Sequence, residues 1–190
     1  MVFKRPINFP TILTLSRLIL SILLLPILLV GFLPYNLFWL NCILAALFFI
    51  LGLTDFFDGY LARKYKQETK IGKALDHIAD KFLITSTLIS LLAIQKIYFF
   101  WVIILISREL FVLGLREIAL ENNLSIPVSF YGKLKTALQM IMLFVIILNP
   151  QASILFTTLT WSVLENILIV FTLFLSIYSA IQYYKSIFRS

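Results

Sequence analysis

Thiol and histidine chemistry have almost nothing to work with in this chain, which holds one cysteine, Cys42, and one histidine, His77. A lone cysteine excludes an intramolecular disulfide, and its place in an apolar run makes it a packing residue. Charge is scarce as well, at 13% of residues, and negative charge scarcer still, with nine acids against sixteen bases. All four aspartates, Asp55, Asp58, Asp76 and Asp80, fall within one short stretch, residues 54–82. Most of the rest is apolar. Hydrophobic residues make up 61% of the 190, the mean hydropathy is +1.00, and apolar runs recur along nearly the whole length, the composition of an integral membrane domain. The net charge of +7 does not point to nucleic acid, because most bases stand at the ends of apolar segments, where they face anionic headgroups.

Turn residues divide the apolar sequence into six expected membrane spans, at about 16–32, 36–64, 73–94, 98–120, 131–149 and 161–184. The breaks fall at residues 31–35, at 65–72, at Gln95 and Lys96, in the polar stretch 121–129 and at Asn149 with Pro150. Residues 6 to about 16 carry apolar side chains at helical spacing among Lys4, Arg5 and Arg17, and are expected to lie along the membrane interface. A basic start before an apolar core also fits a cleavable signal peptide, but no small-x-small site follows, so retention is expected. Residues 151–160 read as an interfacial connector. The fold class expected is all-α, a single membrane-embedded catalytic domain over residues 1–190. Lys4, Arg5, the 63–73 group, the bases from Arg108 to Lys135, Lys185 and Arg189 alternate to one side, against Lys96 and Glu165 on the other. Both termini and the aspartates should therefore face the cytoplasm.

The acidic stretch has helical phasing. At about 100° per residue, Asp55, Asp58, Gly59 and Ala62 fall within an arc of about 100°, and Gly72, Asp76 and Asp80 share another narrow arc. Two helices can thus aim four carboxylates and two side-chain-free gaps at one point. An ionised aspartate at membrane depth costs roughly 2.5 to 3.5 kcal/mol, so the cluster needs positive counterions. Carboxylate oxygens, with no cysteine and one histidine nearby, suit Mg²⁺ or Mn²⁺. Arg63, Lys64, Lys66, Lys70, Lys73 and Lys81 form a rim that attracts phosphate. Carboxylate-held metal shared with phosphates, beside small residues that admit a nucleotide, points to substitution at phosphorus. A solvated connector between spans is the plainer reading, but it would not need its acids in helical phase.

A second constellation follows. Arg108 and Glu109 lie within apolar sequence, and Arg116 stands eight residues on, about 80° away in projection, so both arginines can border one cavity. Gly132 to Thr136 brings Lys133 and Lys135 to the start of the fifth span. Arg108, Arg116, Lys133 and Lys135 are expected to bind a phosphate; snorkelling to the interface, with Glu109 as a local partner, is the alternative.

The pattern DxxDGxxAR, eight residues, then GxxxDxxxD resembles the signature of the CDP-alcohol phosphatidyltransferases, and Asp55, Asp58, Gly59, Ala62, Arg63, Gly72, Asp76 and Asp80 fill every fixed position. Chance would match these on the order of 10⁻¹⁰ per window. Asn8 to Arg17, the RExxxxxLR pattern from Arg108 and GKxKT from Gly132 look like the bacterial phosphatidylglycerophosphate synthase branch, so that the likeness covers roughly residues 8–140. The resemblance implies a six-helix fold in the bacterial cytoplasmic membrane, commonly a homodimer. It implies CDP-diacylglycerol as donor, glycerol 3-phosphate as acceptor and CMP as leaving group. Carried over by position, Asp55, Asp58, Asp76 and Asp80 match the metal-site aspartates, for a pair of ions. Asp80 also matches the general base. Asp55, Asp58, Gly59, Ala62, Arg63 and Gly72 match donor-binding positions. One departure is His77, where relatives often carry proline after the third aspartate; it lies about 100° round from Asp76, as a bystander or dimer contact, with tuning of the site or service as another base the alternative. A sibling enzyme with another alcohol, such as inositol phosphate or serine, would keep the same aspartates. A divalent-cation transporter would need polar residues continuing to the far side, and the first, second and sixth spans read as supplying almost none.

Overall fold

The computed structural model describes residues 16, 18–64, 70–121, 130–149 and 158–188, with side chains outside 55–80, 120, 158–160 and 188. Among the described residues there are six α-helices and no strand: α1 (Leu25–Phe32), α2 (Phe38–Lys64), α3 (Lys70–Ala93), α4 (Phe99–Glu121), α5 (Phe130–Leu148) and α6 (Thr158–Phe188). Each falls where a span is expected. The interfacial segment expected over residues 6 to about 16 lies outside the described residues but for its last position, and of the connector expected at 151–160 the described part, 158–160, belongs instead to α6. By length and apolarity, α5 and the Trp161–Ile187 stretch of α6 are able to cross a membrane, while Leu20–Tyr35, Phe38–Thr54 and Lys81–Ala93 are shorter apolar helical stretches. The chain divides into two compact units, Met1–Ile94 and Gln95–Ser190.

In the first unit α1, α2 and α3 pack on one another. Leu25, Leu29 and Leu33, spaced one turn apart, are fully buried, as are Ala45, Phe48 and Leu88, whereas Ile27, Trp39 and Ile43 point outward. An apolar outer face is what lipid contact asks for. The turn after α1 is a 3-10 turn over Leu33–Tyr35 closed by Asn36, whose φ of 53° is left-handed and whose N–H reaches the Leu33 carbonyl at 3.1 Å. Asparagine tolerates that conformation where most residues resist it. The break expected at 31–35 is found over its second half: Gly31 and Phe32 remain helical, and the chain turns at Leu33–Tyr35 and Asn36.

A π-helical segment, Leu20–Leu24, leads into α1, and the Leu25 N–H bonds back five residues to the Leu20 carbonyl. In that register the Ser21 carbonyl should take the N–H of residue 26. That residue is Pro26, which has none. The missing donor comes from α3: Ser86 Oγ donates to the Ser21 carbonyl at 2.7 Å. Other hydroxyls on α3 turn back on their own helix, Thr87 Oγ1 to the Leu83 carbonyl at 2.7 Å and Ser90 Oγ to the Ser86 carbonyl at 2.7 Å, as polar groups in a water-free setting must.

The second unit packs α5 and α4 against α6. Val112, Leu115 and Ala119 of α4 meet Ala180, Tyr183 and Ile187 of α6, with three- and four-residue spacing on both sides, the stripe of one helix along another. Met142, Leu143, Ile146 and Ile147 bury one face of α5. At its near end Tyr131 meets Tyr178 edge-on at 5.0 Å.

Ser86→Ala should leave the Ser21 carbonyl buried without a donor and cost about 1–3 kcal/mol. Thermal unfolding in detergent is expected to shift downward, with Ser86→Thr recovering most of the loss; an unchanged midpoint for Ser86→Ala would show that the interhelical bond contributes nothing.

Candidate functional site

The helix α2 runs unbroken to Lys64, so Asp55, Asp58, Gly59, Ala62 and Arg63 sit on successive turns of one rod. The first three turns of α3 carry Gly72, Asp76, His77 and Asp80. Continuous helix is the condition under which the acids share an arc. The two helices pack together, and the short connection at residues 65–69 makes them antiparallel neighbours. At 1.5 Å per residue, Asp58 and Asp76 both stand about 9 Å from that connection, and Asp55 and Asp80 about 14 Å. The acids thus fall at two matched levels. The side chains of residues 55–80 lie outside those described. Just before them, Thr54 Oγ1 donates to the Leu51 carbonyl at 2.8 Å, so that hydroxyl is turned back on its own helix.

The second unit encloses a charged cluster. Arg108, Glu109 and Lys135 are all buried, Lys135 completely. Glu109 Oε1 pairs with Lys135 Nζ across α4 and α5 and lies 3.4 Å from Arg108 Nη1. Arg108 is fixed from α6: its Nε donates to the Ser176 carbonyl at 3.0 Å and its Nη2 to Ser179 Oγ at 2.6 Å. A buried charge without a partner would cost several kcal/mol, and one carboxylate between two cations leaves a single positive charge in excess. Two turns on, Arg116 Nη2 donates to Tyr183 Oη at 3.0 Å, with the guanidinium 5.4 Å from the ring centroid. Both arginines therefore face α6. Lys133 is exposed; two residues from Lys135 on a helix is about 200°, so the two lysines point opposite ways.

Two features went unread in the sequence. The first is α6 itself, taken there as bare of polar groups: Thr172, Ser176, Ser179 and Tyr183 are all buried, at the four- and three-residue spacing of one helix face. The second is Gln139, fully buried on α5 one turn beyond Lys135. Neither its amide oxygen nor its amide nitrogen has a hydrogen-bond partner, nor do the hydroxyls of Thr172 and Ser176. The signal was there, as hydroxyls and an amide in helical phase, but averaging over an apolar window conceals it. Beyond Gln139 and Thr172 the buried positions within α5 and α6 are Met142, Leu143, Ile146, Ile147 and Ile169, and the next buried polar group is Asn149 at the far end of α5, so the polar interior is interrupted by an apolar stretch. A path for ions through the unit would need it to continue.

The pattern that describes CDP-alcohol phosphatidyltransferases matches residues 7–178. Among curated proteins, the CDP-diacylglycerol--glycerol-3-phosphate 3-phosphatidyltransferase of Rickettsia felis is 37% identical over 180 residues, 94% of each chain. Those of Pectobacterium atrosepticum, 37% identical over 76% of this chain and 79% of that one, and Haemophilus influenzae, 41% identical over 72% and 73%, bear the same name. With two apolar helices able to cross a bilayer, this marks a membrane protein. A match over nearly the whole length, together with the helical placement of every signature position, leads to one conclusion: the chain belongs to the CDP-alcohol phosphatidyltransferase family.

Proposed function

We propose that this protein transfers a phosphatidyl group from CDP-diacylglycerol to sn-glycerol 3-phosphate, giving phosphatidylglycerol phosphate and CMP in phospholipid biosynthesis. The observation that carries the proposal is the placement of Asp55 and Asp58 on one helix and of Asp76 and Asp80 on another that packs against it, at levels that helix rise matches. Relatives named for this reaction, three of them described above, supply the choice of donor and acceptor.

In this reading Asp55, Asp58, Asp76 and Asp80 hold Mg²⁺ or Mn²⁺, as a pair of ions. An all-oxygen carboxylate set suits these hard cations. When bound, the ions neutralise the pyrophosphate and stabilise charge on the departing CMP oxygen. Asp55, Asp58, Gly59, Ala62, Arg63 and Gly72 receive the cytidine diphosphate end of the donor, the small residues giving it room and the guanidinium pairing with phosphate. Asp80 accepts the proton of the acceptor hydroxyl as its oxygen attacks the lipid-bearing phosphorus. The new P–O bond forms while the P–O bond to CMP breaks. Arg108, Arg116 and Lys135 provide the positive charge that favours a phosphorylated alcohol, and Lys133, on the opposite side of α5, would attract it from the exposed face. Glu109 pairs with Lys135 and directs its side chain, which explains an acid among groups that bind an anion.

The topology proposed is six spans in the cytoplasmic membrane, with termini and site on the cytoplasmic side, and the assembly a homodimer, as the family resemblance implies. Helix α2, 27 residues long, measures about 40 Å against a hydrocarbon thickness of about 30 Å, leaving its signature end free to reach the headgroups. The three tryptophans, Trp39, Trp101 and Trp161, stand near the starts of α2, α4 and α6, the ends this topology assigns to the outer interface, where tryptophan concentrates.

Purified protein given CDP-diacylglycerol, Mg²⁺ or Mn²⁺ and a panel of alcohols should release CMP with glycerol 3-phosphate, and chelation should stop it. Release with inositol phosphate instead would change the acceptor, and no release with any alcohol would refute transfer. Asp80→Asn should lower kcat by about 10²- to 10⁴-fold while donor binding persists; turnover at the wild-type rate would remove Asp80 as the base.

A further inference from the structure

Gln139 has no part in the charged cluster, yet it is fully buried with both amide atoms unpartnered. Ser and Thr hydroxyls can bond to their own helix, as Thr87 and Ser90 do, but those of Thr172 and Ser176 do not. The antiparallel register set by Tyr131 against Tyr178 brings Gln139 within about two residues of the level of Thr172 on α6, and Lys135 within about two of Ser176. One turn separates the two levels. Unpaired amide and hydroxyl groups therefore gather just beneath a cluster that carries an excess positive charge and is itself tied down by Ser179 and the Ser176 carbonyl. A primary amide offers both donor and acceptor, and hydroxyls do the same, the complement of an alcohol rather than of an ion. Natural interiors leave few polar groups in this condition, and those they do leave call for a partner.

We infer that Gln139, with Thr172 and Ser176, forms a hydroxyl-recognition subsite next to the Arg108–Glu109–Lys135 cluster, selecting a phosphorylated acceptor that carries a second, non-reacting alcohol group. The inference rests on the acceptor class proposed above and adds to it the residues that read the part of the acceptor that is not phosphate. A site built to bond a hydroxyl rejects the analogue lacking it, because its own buried groups then stay unpaired. A purely structural Gln139 has the opposite signature: an apolar side chain of similar size would relieve its unpaired atoms at no cost to selectivity.

The test compares glycerol 3-phosphate with 3-hydroxypropyl phosphate, which lacks only the secondary hydroxyl, by CMP release from the full-length protein in detergent. Wild-type protein should prefer glycerol 3-phosphate by about tenfold or more in kcat/KM. Gln139→Leu should bring the two alcohols within about twofold, through a raised KM for glycerol 3-phosphate, with a thermal midpoint no lower than wild type. Thr172→Val, the isosteric loss of one hydroxyl, should narrow the preference in the same direction by a smaller factor. If Gln139→Leu folds and keeps the wild-type preference, or if wild type shows none, the subsite is refuted and the transferase reading stands; wild type that releases no CMP with either alcohol refutes that reading and the subsite with it. Should Gln139→Leu fail to fold, an unaltered preference in Thr172→Val refutes the subsite.

Discussion

A carboxylate enclosed by apolar helices has to meet positive charge, and this requirement organises both halves of the chain. In the second unit it is met by protein alone, with Glu109 between Lys135 and Arg108. The arrangement ties three helices together: Lys135 comes from α5, Arg108 and Glu109 from α4, and the guanidinium is steadied by α6. In the first unit four aspartates stand on two neighbouring helices, and the proposed chemistry assigns their neutralisation to bound cations and substrate. A carboxylate paired within the protein is held before substrate arrives, while in the proposed chemistry carboxylates that take up cations would couple the ordering of the site to its loading.

Much of the architecture could be read from punctuation in the sequence. Asn36, Gln95 and Asn149 adopt left-handed backbone at three of the breaks that the polar and proline residues mark. The first break, expected at 31–35, begins two residues later than its glycine, at Leu33, and closes on Asn36. The π segment at Leu20–Leu24 could not be foreseen, since its side chains are those of an ordinary apolar helix; what betrays it is Pro26 combined with a hydroxyl on another helix.

The candidate site was legible where its chemistry is ionic. Four aspartates in a chain with so few acids are conspicuous, and their spacing carries the helical period. Pairing was harder to see. Lys133 and Lys135 look equivalent in the sequence, but helical geometry sends one inward and the other out, and only the buried one meets Glu109. The polar face of α6 escaped because serine and threonine barely lower the hydropathy of a window rich in leucine, phenylalanine and isoleucine. In a water-free interior such groups matter more than their hydropathy suggests, since each needs a partner.

The bond from Ser86 to the Ser21 carbonyl also sets a height. It pins the first helix to a particular rung of α3, and sliding by a single turn, about 5.4 Å, would break it. The same α3 carries Gly72, Asp76 and Asp80 a few turns away. A hydroxyl far from any reacting atom thereby serves as a depth gauge, holding the helix that bears half of the acids at a constant level against the segment that begins the described chain.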